Sequence, residues 1–561
     1  MASSTQKKSA SFAFSSLAWI CSLTSTSCNA AYSSLPPSHR TATKPAHLEG
    51  TLLSSPRRSG AFSKLSSSTL PDIPKLITPE EESGKGLLSF TLEELSDKLG
   101  GYGRSTAVWD CIRRGIDPNL YYSKTHAIGD GDSSDRAVLN SWLDACVGDT
   151  STHETSVSDD RNPLEFDKGQ GLGQNAWDKL QSIMEKYHSC DETQRSRKKS
   201  ARKEILCIEN SIASLSHMKV SSDGTIKLLL KMVKDGLEVE SVIIPWKEKG
   251  FSTLCVSSQV GCKQGCSFCA TGREYEFLCI QCAFGKVPTK NANCFAIHSG
   301  MGKLRSLTAD EITVQVYYAS KVCRVINSKN TEQSDNMALP TIDNIVFMGM
   351  GEPADNALAV VSAANALADR RMFSLAQSKI TISTVAPDES AFETLGKAPA
   401  LLAWSVHAVK DSLRRQLVPT TKSLMEELRH GLVKALSNRS ISMRRTMLEV
   451  VLISGVNDSD EDAELLSEFA QSIMRDVKGA KVIVNLIPFN DIGHPTHRTP
   501  SMERVLDFQR IVIQHGNESG TDKGLNPNVL CYVRTTRGDD ESSACGQLAT
   551  KRRPPIGKTG M

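Results

Sequence analysis

The sequence predicts an α/β fold: a parallel sheet built from strand-helix units, preceded by a helical domain and a small antiparallel extension. Three observations carry that prediction. Six short apolar runs recur with helical patterns between them, one of those helices has a clear start signal, and a polar turn joins β-like runs ahead of the first unit. Composition agrees, since 561 residues with 66 Lys and Arg against 63 Asp and Glu, 39% hydrophobic and 6% aromatic, exclude a collagen, a coiled coil and a mostly disordered chain.

Taken in order, residues 1–71 hold 19 Ser, seven Lys or Arg and a single acidic residue, Glu49. Few carboxylates and many hydroxyls mark an organelle transit peptide, and a plastid is the expected destination. Removing seven basic residues and one acidic one turns the net charge from +3 to about −3, so any nucleic-acid binding must come from local patches. No run of 18 uncharged apolar residues occurs, and no transmembrane helix is expected.

From Thr78 the texture is helical, with apolar residues at three-to-four spacing across Phe90–Leu99 and Ala107–Arg114. A Gly/Asp/Ser-rich stretch at about 129–173 is too polar to pack and reads as an extended insert, and a basic run, Arg195 to Lys203, follows it. Ser221-Ser-Asp-Gly-Thr225 is a turn between His217–Val220 and Thr225–Val233, with a third β-like run at Val239–Pro245. The six main strands are expected at Thr253–Ser257, Asn344–Met348, Lys379–Val385, Leu401–Val406, Thr446–Ile453 and Lys481–Pro488. Thr308-Ala-Asp-Glu311 is a capping box ahead of a helix over Ile312–Val325. In such parallel sheets ligands sit at the C-terminal strand ends.

The chain has sixteen cysteines, too dilute for a disulfide scaffold, so metal or redox chemistry is the better reading. After the first main strand come Cys262, Cys266 and Cys269, spaced by three and then two residues on a Gly-containing loop. Three thiolates so placed can hold three corners of an iron-sulfur cube, leaving the fourth iron open to the amino and carboxylate groups of S-adenosylmethionine. Structural zinc is the alternative, although zinc wants four ligands and no fourth lies nearby.

The stretch Thr253-Leu-Cys-Val-Ser-Ser-Gln-Val-Gly-Cys262 resembles the radical-SAM adenosine carbon-2 methyltransferases of ribosomal and transfer RNA. The likeness continues in order through Phe347-Met-Gly-Met-Gly-Glu-Pro353, Ile382-Ser-Thr384, Ser405-Val-His407, Gln416-Leu-Val-Pro419, Gly455-Val-Asn-Asp458, Asn485-Leu-Ile-Pro-Phe-Asn490, Arg537-Gly-Asp-Asp540 and Ala544-Cys-Gly-Gln-Leu548, covering about Phe90 to Lys551. It implies a radical-SAM partial (βα)6 barrel with an N-terminal helical RNA-docking domain and a small β extension. The implied division is 72–215 for the helical domain, 216–247 for the β extension, 248–540 for the core and 541–561 for a C-terminal segment.

By the same resemblance, Cys262, Cys266 and Cys269 would ligate a 4Fe-4S cluster, and Gly351, Glu352, Ser383, Ser405, His407 and Asn490 would line the S-adenosylmethionine site. The Gly349-Met-Gly-Glu-Pro353 glycines would let backbone approach a ligand, and Glu352 would meet its ammonium. Adenine carbon 2 is electrophilic, so direct methyl displacement is closed to it. The family's route methylates Cys545 with one S-adenosylmethionine and cleaves a second to a radical that takes hydrogen from the S-methyl group; the resulting methylene adds to carbon 2. Cys255 would resolve the adduct as a disulfide with Cys545, and Glu240 would accept the carbon-2 proton, although it stands two residues further from Cys255 than the family pattern. Implied partners are ribosomal and possibly transfer RNA and an electron donor such as ferredoxin or flavodoxin; no membrane is involved, and a monomer is expected.

Arg414, Arg415, Arg444, Arg445, Arg534, Arg537 and the tail Lys551-Arg-Arg553 are candidate phosphate contacts. Two segments depart from the pattern: Glu274–Gly300, which carries Cys279, Cys282 and Cys294 and reads as an insert or an unspliced intron, and Asn517–Cys531. A related carbon-8 methylating enzyme, or a non-catalytic metal-containing RNA-binding protein, would share much of this signature.

Overall fold

The computed structural model describes residues 85–122, 172–188, 205–271, 274–276, 297–299, 302–330, 339–492, 494–518 and 528–534. The expected transit peptide, most of the polar insert, the basic run at 195–203, Arg537, Cys545 and the basic tail lie outside them.

The chain first folds as helices: α1 (Leu92–Leu99), α2 (Tyr102–Arg113), α3 (Pro118–Tyr121), α4 (Gln174–His188) and α5 (Ile208–Ser211). Thr91 and Glu94 form a capping box at the start of α1, and Gly100, in the left-handed region, ends it. Leu92, Leu95 and Leu99 then fall on one buried face.

Three antiparallel strands follow, β1 (Ala213–Val220), β2 (Ile226–Met232) and β3 (Glu238–Trp246), and the last pairs with β4 (Phe251–Cys255), the first strand of the parallel sheet. β5 (Gln259–Cys262) pairs instead with β8 (Gly302–Ser306) in a separate two-stranded sheet. The main sheet continues through β9 (Ile342–Phe347), β10 (Ile380–Thr384), β11 (Leu401–Ser405), β12 (Arg445–Leu452), β13 (Lys481–Pro488) and β14 (Leu530–Val533), in the order β1-β2-β3-β4-β9-β10-β11-β12-β13-β14. Between the parallel strands lie α6 (Ala309–Asn330), α7 (Ala357–Ala368), α8 (Ser390–Leu395), α9 (Asp411–Leu417), α10 (Met425–Ser437), α11 (Asp460–Asp476) and α12 (Met502–Glu518). The sheet does not close on itself, so the barrel is partial. Each of the six expected main strands is found within two residues of its predicted limits.

Three differences have physical causes. β14 adds a seventh parallel strand, partly inside the stretch read as an insert to Cys531; four residues are too few for periodicity to reveal. β1 begins at Ala213, four residues before the expected run, because a bulge between Leu215 and His217 breaks the alternation. The segment 274–300 opens with β6 (Glu274–Glu276) and closes with β7 (Ile297–Ser299), which pair so that Glu274 faces Ser299. Its two ends therefore lie side by side, and the excursion leaves and rejoins the fold at one place.

The capping box ahead of α6 is present, with Thr308 Oγ1 accepting from Glu311 N at 3.2 Å and Glu311 Oε2 from Thr308 N at 2.9 Å. Between the two, buried Asp310 accepts from the backbone N–H groups of Gly86, Leu88 and Ser89 at 3.0, 2.7 and 3.1 Å. One carboxylate thereby ties the N-terminal segment to the first barrel helix. Among the described residues no helix is long and apolar enough to cross a membrane.

Strand alternation gives the main sheet two faces. Leu254, Ile345, Phe347, Ile380, Ile382, Leu402, Trp404, Leu448, Val450, Val484 and Leu486 belong to the large apolar core under the helices, where Trp404 meets Phe392 of α8 and Phe469 of α11. The register places Cys255 beside Val346, Val346 beside Thr381, Ser383 beside Ala403, Ser405 beside Glu449 and Glu449 beside Asn485 on the opposite, inner face.

Candidate functional site

The cysteine loop leaves β5 at Cys262 and crosses the C-terminal ends of the parallel strands. Cys266 is buried and Cys262 and Cys269 are half-buried. Ser267 N donates to Leu417 O of α9 at 2.9 Å, and Ser267 Oγ lies 3.1 Å from His497 Nε2. Phe268 packs its ring on His407, centroids 4.2 Å apart. A cleft of about 630 Å³ opens beside the loop, lined by Cys262, Lys263, Gln416, Thr420, His494 and His497 among others. Burial pushes the Cys262 thiol up to about 12 and that of Cys266 well above its ordinary value, and neighbouring thiols of the triplet add to both. Thiols that oppose each other's ionisation give up their protons to a cationic centre.

Among the described residues no three His, Cys, Asp or Glu side chains converge on a position for a metal ion. The corners of an iron-sulfur cube hold their thiolates further apart than one ion does, so the triplet's donor set suits the cube. The described loop supplies no fourth ligand of the kind structural zinc requires.

Glu352 follows β9 and is buried. Its Oε1 accepts from Ala354 N at 2.9 Å and from Thr384 Oγ1, and its Oε2 from Val385 N at 2.9 Å. Burial still outweighs these bonds and raises its carboxyl to about 7. The two glycines before it are also required by protein contacts. A Cβ on Gly351, whose φ is +103°, would lie 2.6 Å from Gln259 Cβ, and one on Gly349 would lie 2.8 Å from Val256 O. They let the turn pack against the β4–β5 connection, and Gln259 Oε1 in turn accepts from Glu352 N at 3.0 Å. Close contact with protein is thus by itself enough to require glycine at both positions.

Ser383 and Ser405 bring their hydroxyl oxygens within 3.2 Å of one another. His407 follows β11 with a left-handed φ of +58° and is buried. Its Nδ1 accepts from Val451 N at 3.2 Å, which puts the ring proton on Nε2, and burial together with Arg414 holds the imidazole neutral, well below its ordinary range. Asn490 lies just after β13, half-buried. These side chains stand at the ends of three strands, with Ser405 and His407 sharing β11.

On the antiparallel side, Val242 pairs with Cys255, which places Glu240 diagonal to Cys255 on the same face, roughly 7–8 Å away by sheet geometry. Glu240 is buried, with Lys227 Nζ 3.5 Å from its Oε1. Cys545 lies outside the described residues.

Arg414 needs correction as a phosphate contact. It is fully buried, and its guanidinium donates to the carbonyls of Ser405 at 2.9 Å, Val406 and Val385, fastening the ends of β10 and β11. Arg444 likewise donates to the carbonyls of Arg439, Lys478 and Ser437. Sequence reading missed Glu449, a carboxylate buried on the inner face of β12 beside Ser383, at 3.3 Å, and near Arg534. A single acid within the apolar run Met447–Leu452 was the available signal.

No family model matches the sequence. A protein named dual-specificity RNA methyltransferase RlmN, from Ruthia magnifica subsp. Calyptogena magnifica, is 34% identical over 348 residues, 62% of this chain and 80% of its own length. The chain belongs to the RlmN family. A second RlmN, from Vesicomyosocius okutanii subsp. Calyptogena okutanii, is 35% identical over 357 residues, 63% of this chain and 82% of its own. A probable RlmN from Synechococcus sp. RCC307 is 34% identical over 345 residues, 59% of this chain and 79% of its own. A crystal structure of a radical SAM methyltransferase from Sphaerobacter thermophilus aligns with 60% of the chain and 80% of its own at 31% identity, with a TM-score of 0.44.

Proposed function

We propose that this RlmN-family chain makes 2-methyladenosine in large-subunit ribosomal RNA and in transfer RNA, through an S-methylcysteine at Cys545. The observation that carries the reading is one shared face: Cys255, Glu240, Ser383 and Ser405 all project from the inner side of the sheet whose strand ends carry the cysteine loop. When bound, a 4Fe-4S cluster on Cys262, Cys266 and Cys269, with two S-adenosylmethionine molecules per turnover, supplies one electron, the methyl group and the hydrogen-abstracting radical.

The chain's own residues do the rest. Glu352 meets the cofactor's ammonium, its charged form favoured by the cation that arrives. Neutral His407 offers an N–H from Nε2; Ser383, Ser405, Gly351 and Asn490 complete the pocket. Once the adduct has given up its unpaired electron, which the oxidised cluster would accept, Glu240 removes the carbon-2 proton; the thiolate of Cys255 then attacks the sulfur of Cys545, and the methylene carbon leaves with the bonding pair and takes a proton to become the methyl group. The disulfide so formed takes two electrons from outside to reopen, which a ferredoxin or flavodoxin system would supply. The Ser-rich segment 1–71 supports delivery to a plastid.

The test is a nucleoside digest of RNA treated with anaerobically purified protein. It should yield 2-methyladenosine; 8-methyladenosine in its place would move the chain to the carbon-8 chemistry, and no methylated adenosine from cluster-loaded protein would end the reading. Cys545→Ala should abolish transfer, and Cys255→Ala should leave protein covalently attached to RNA on a denaturing gel.

A further inference from the structure

The inner face of β12 carries a carboxylate that none of the steps above uses. Glu449 is 5% exposed, and its Oε2 accepts from Ser383 Oγ at 3.3 Å, the same hydroxyl that lies 3.2 Å from Ser405 Oγ. The carboxylate is also stabilised by the side chains of Asn485 and Ser405 and by the nearby charge of Arg534, yet its other oxygen, Oε1, has no donor of good geometry, nor has Oδ1 of Asn485, which is 3% exposed. The backbone is fastened as well, since Val406 N donates to Glu449 O at 2.9 Å, so the side chain starts from a fixed point beside Ser405 and His407. A buried acceptor without a donor is costly to leave unmade, and two adjacent ones match a ligand with two donors.

We propose that Glu449 and Asn485 anchor the ribose of the bound adenosyl cofactor, with Glu449 Oε1 and Asn485 Oδ1 accepting from its two hydroxyls. The inference rests on the reading that S-adenosylmethionine occupies this face. The donors of that molecule are its ammonium, its adenine amine and its vicinal ribose hydroxyls. The ammonium belongs with Glu352, at the end of another strand. An adenine edge asks for a donor beside an acceptor, whereas the unfilled atoms here are both acceptors. A carboxylate on a ribose hydroxyl is the usual solution in nucleotide sites. A nucleotide within an RNA chain has only its 2′-hydroxyl free, so two open acceptors favour the cofactor over the target base.

The test uses the full chain, reconstituted anaerobically with its cluster, and equilibrium dialysis of S-adenosylhomocysteine and its 2′-deoxyribose analogue. Glu449→Gln, which keeps the shape, should weaken S-adenosylhomocysteine by about 10-fold or more, the worth of one charge-assisted hydrogen bond, and shrink its preference over the deoxy analogue. Unchanged binding, or equal weakening of both ligands, overturns the assignment. A 10-fold loss of affinity for a stem-loop RNA with no change for S-adenosylhomocysteine also overturns it, by giving the ribose to the target nucleotide. Wild-type protein that binds no S-adenosylhomocysteine removes the proposed function along with the inference, whereas a failed ratio in a wild type that does bind removes the inference alone. Should Glu449→Gln not fold, Asn485→Leu replaces it with the same expected ratio.

Discussion

On the outer face of the parallel sheet the strands turn aliphatic and aromatic side chains to their helices, whereas on the inner face the same strands carry Thr253, Asn344, Thr381, Ser383, Glu449 and Asn485 at similar burial, with Ser405 half-buried. The outer face is mostly apolar packing, with Trp404 Nε1 and Thr446 Oγ1 its buried polar atoms without partners. The inner face leaves Asn344 Oδ1, Thr381 Oγ1, Glu449 Oε1 and Asn485 Oδ1 without partners, and a protein that tolerates several orphan acceptors on one face is shaped for something besides its own stability.

The largest expected effect sharpens that contrast on adjacent residues. Trp404, wedged between Phe392 and Phe469 with ring centroids 5.2 and 5.5 Å away, should cost about 3–5 kcal/mol when truncated to Ala, read by chemical denaturation. Ser405→Ala, one residue on and facing inward, should cost under about 1 kcal/mol. Equal losses would break the distinction between the faces.

Next comes the inner face's own ion pair. Lys227 and Glu240 have side chains 5% and 1% exposed, so removing one partner strands a buried charge. Lys227→Met should destabilise by about 3–5 kcal/mol, and adding Glu240→Leu should restore most of it while leaving the protein unable to release methylated RNA. A single variant as stable as wild type would show that water reaches the pair.

How much was legible follows the same division. Outer-face residues alternate with inner ones inside runs such as Lys481–Pro488, and short apolar runs bounded by turns located all six main strands. Inner-face chemistry was not legible from pattern: Ser383, Ser405 and Glu352 were named through a family resemblance, and Glu449, which no motif announced, was passed over within its strand. Charge alone misled at Arg414, where a guanidinium read as a surface phosphate contact is spent on three strand-end carbonyls. The glycines of the Gly349-to-Pro353 turn were recognised as special, but only coordinates reveal that Gln259 and Val256 are what they make room for.

Glu352 gives the comparison a pH axis. Its carboxyl is raised by burial from 4.5 to about 7, so the folded state keeps a proton that the unfolded chain releases between those values. The group's contribution is therefore fully present below about pH 4.5 and is lost as pH rises through about 7, by about 3 kcal/mol at 1.36 kcal/mol per unit. Glu352→Gln should remove that slope: the variant gains on wild type as pH rises from 4.5 to 7, measured by denaturation of the cluster-free protein. Parallel pH curves for the two proteins would mean that the three donors around Glu352 hold it charged throughout.

The smallest expected effect has the opposite sign to a core mutation. Thr381 is 1% exposed on the inner face, with Oγ1 unpartnered, while its neighbour Ile382 packs fully buried on the outer face. Thr381→Val keeps the shape and removes the orphan hydroxyl, so it should leave stability unchanged or raise it by up to about 1 kcal/mol. Ile382→Val, deleting one methyl on the outer side, should cost about 0.5–1.5 kcal/mol. If Thr381→Val were instead the more damaging of the two, the hydroxyl would be making an interaction within the protein, and the inner face would be a second packed core with no room reserved for a ligand.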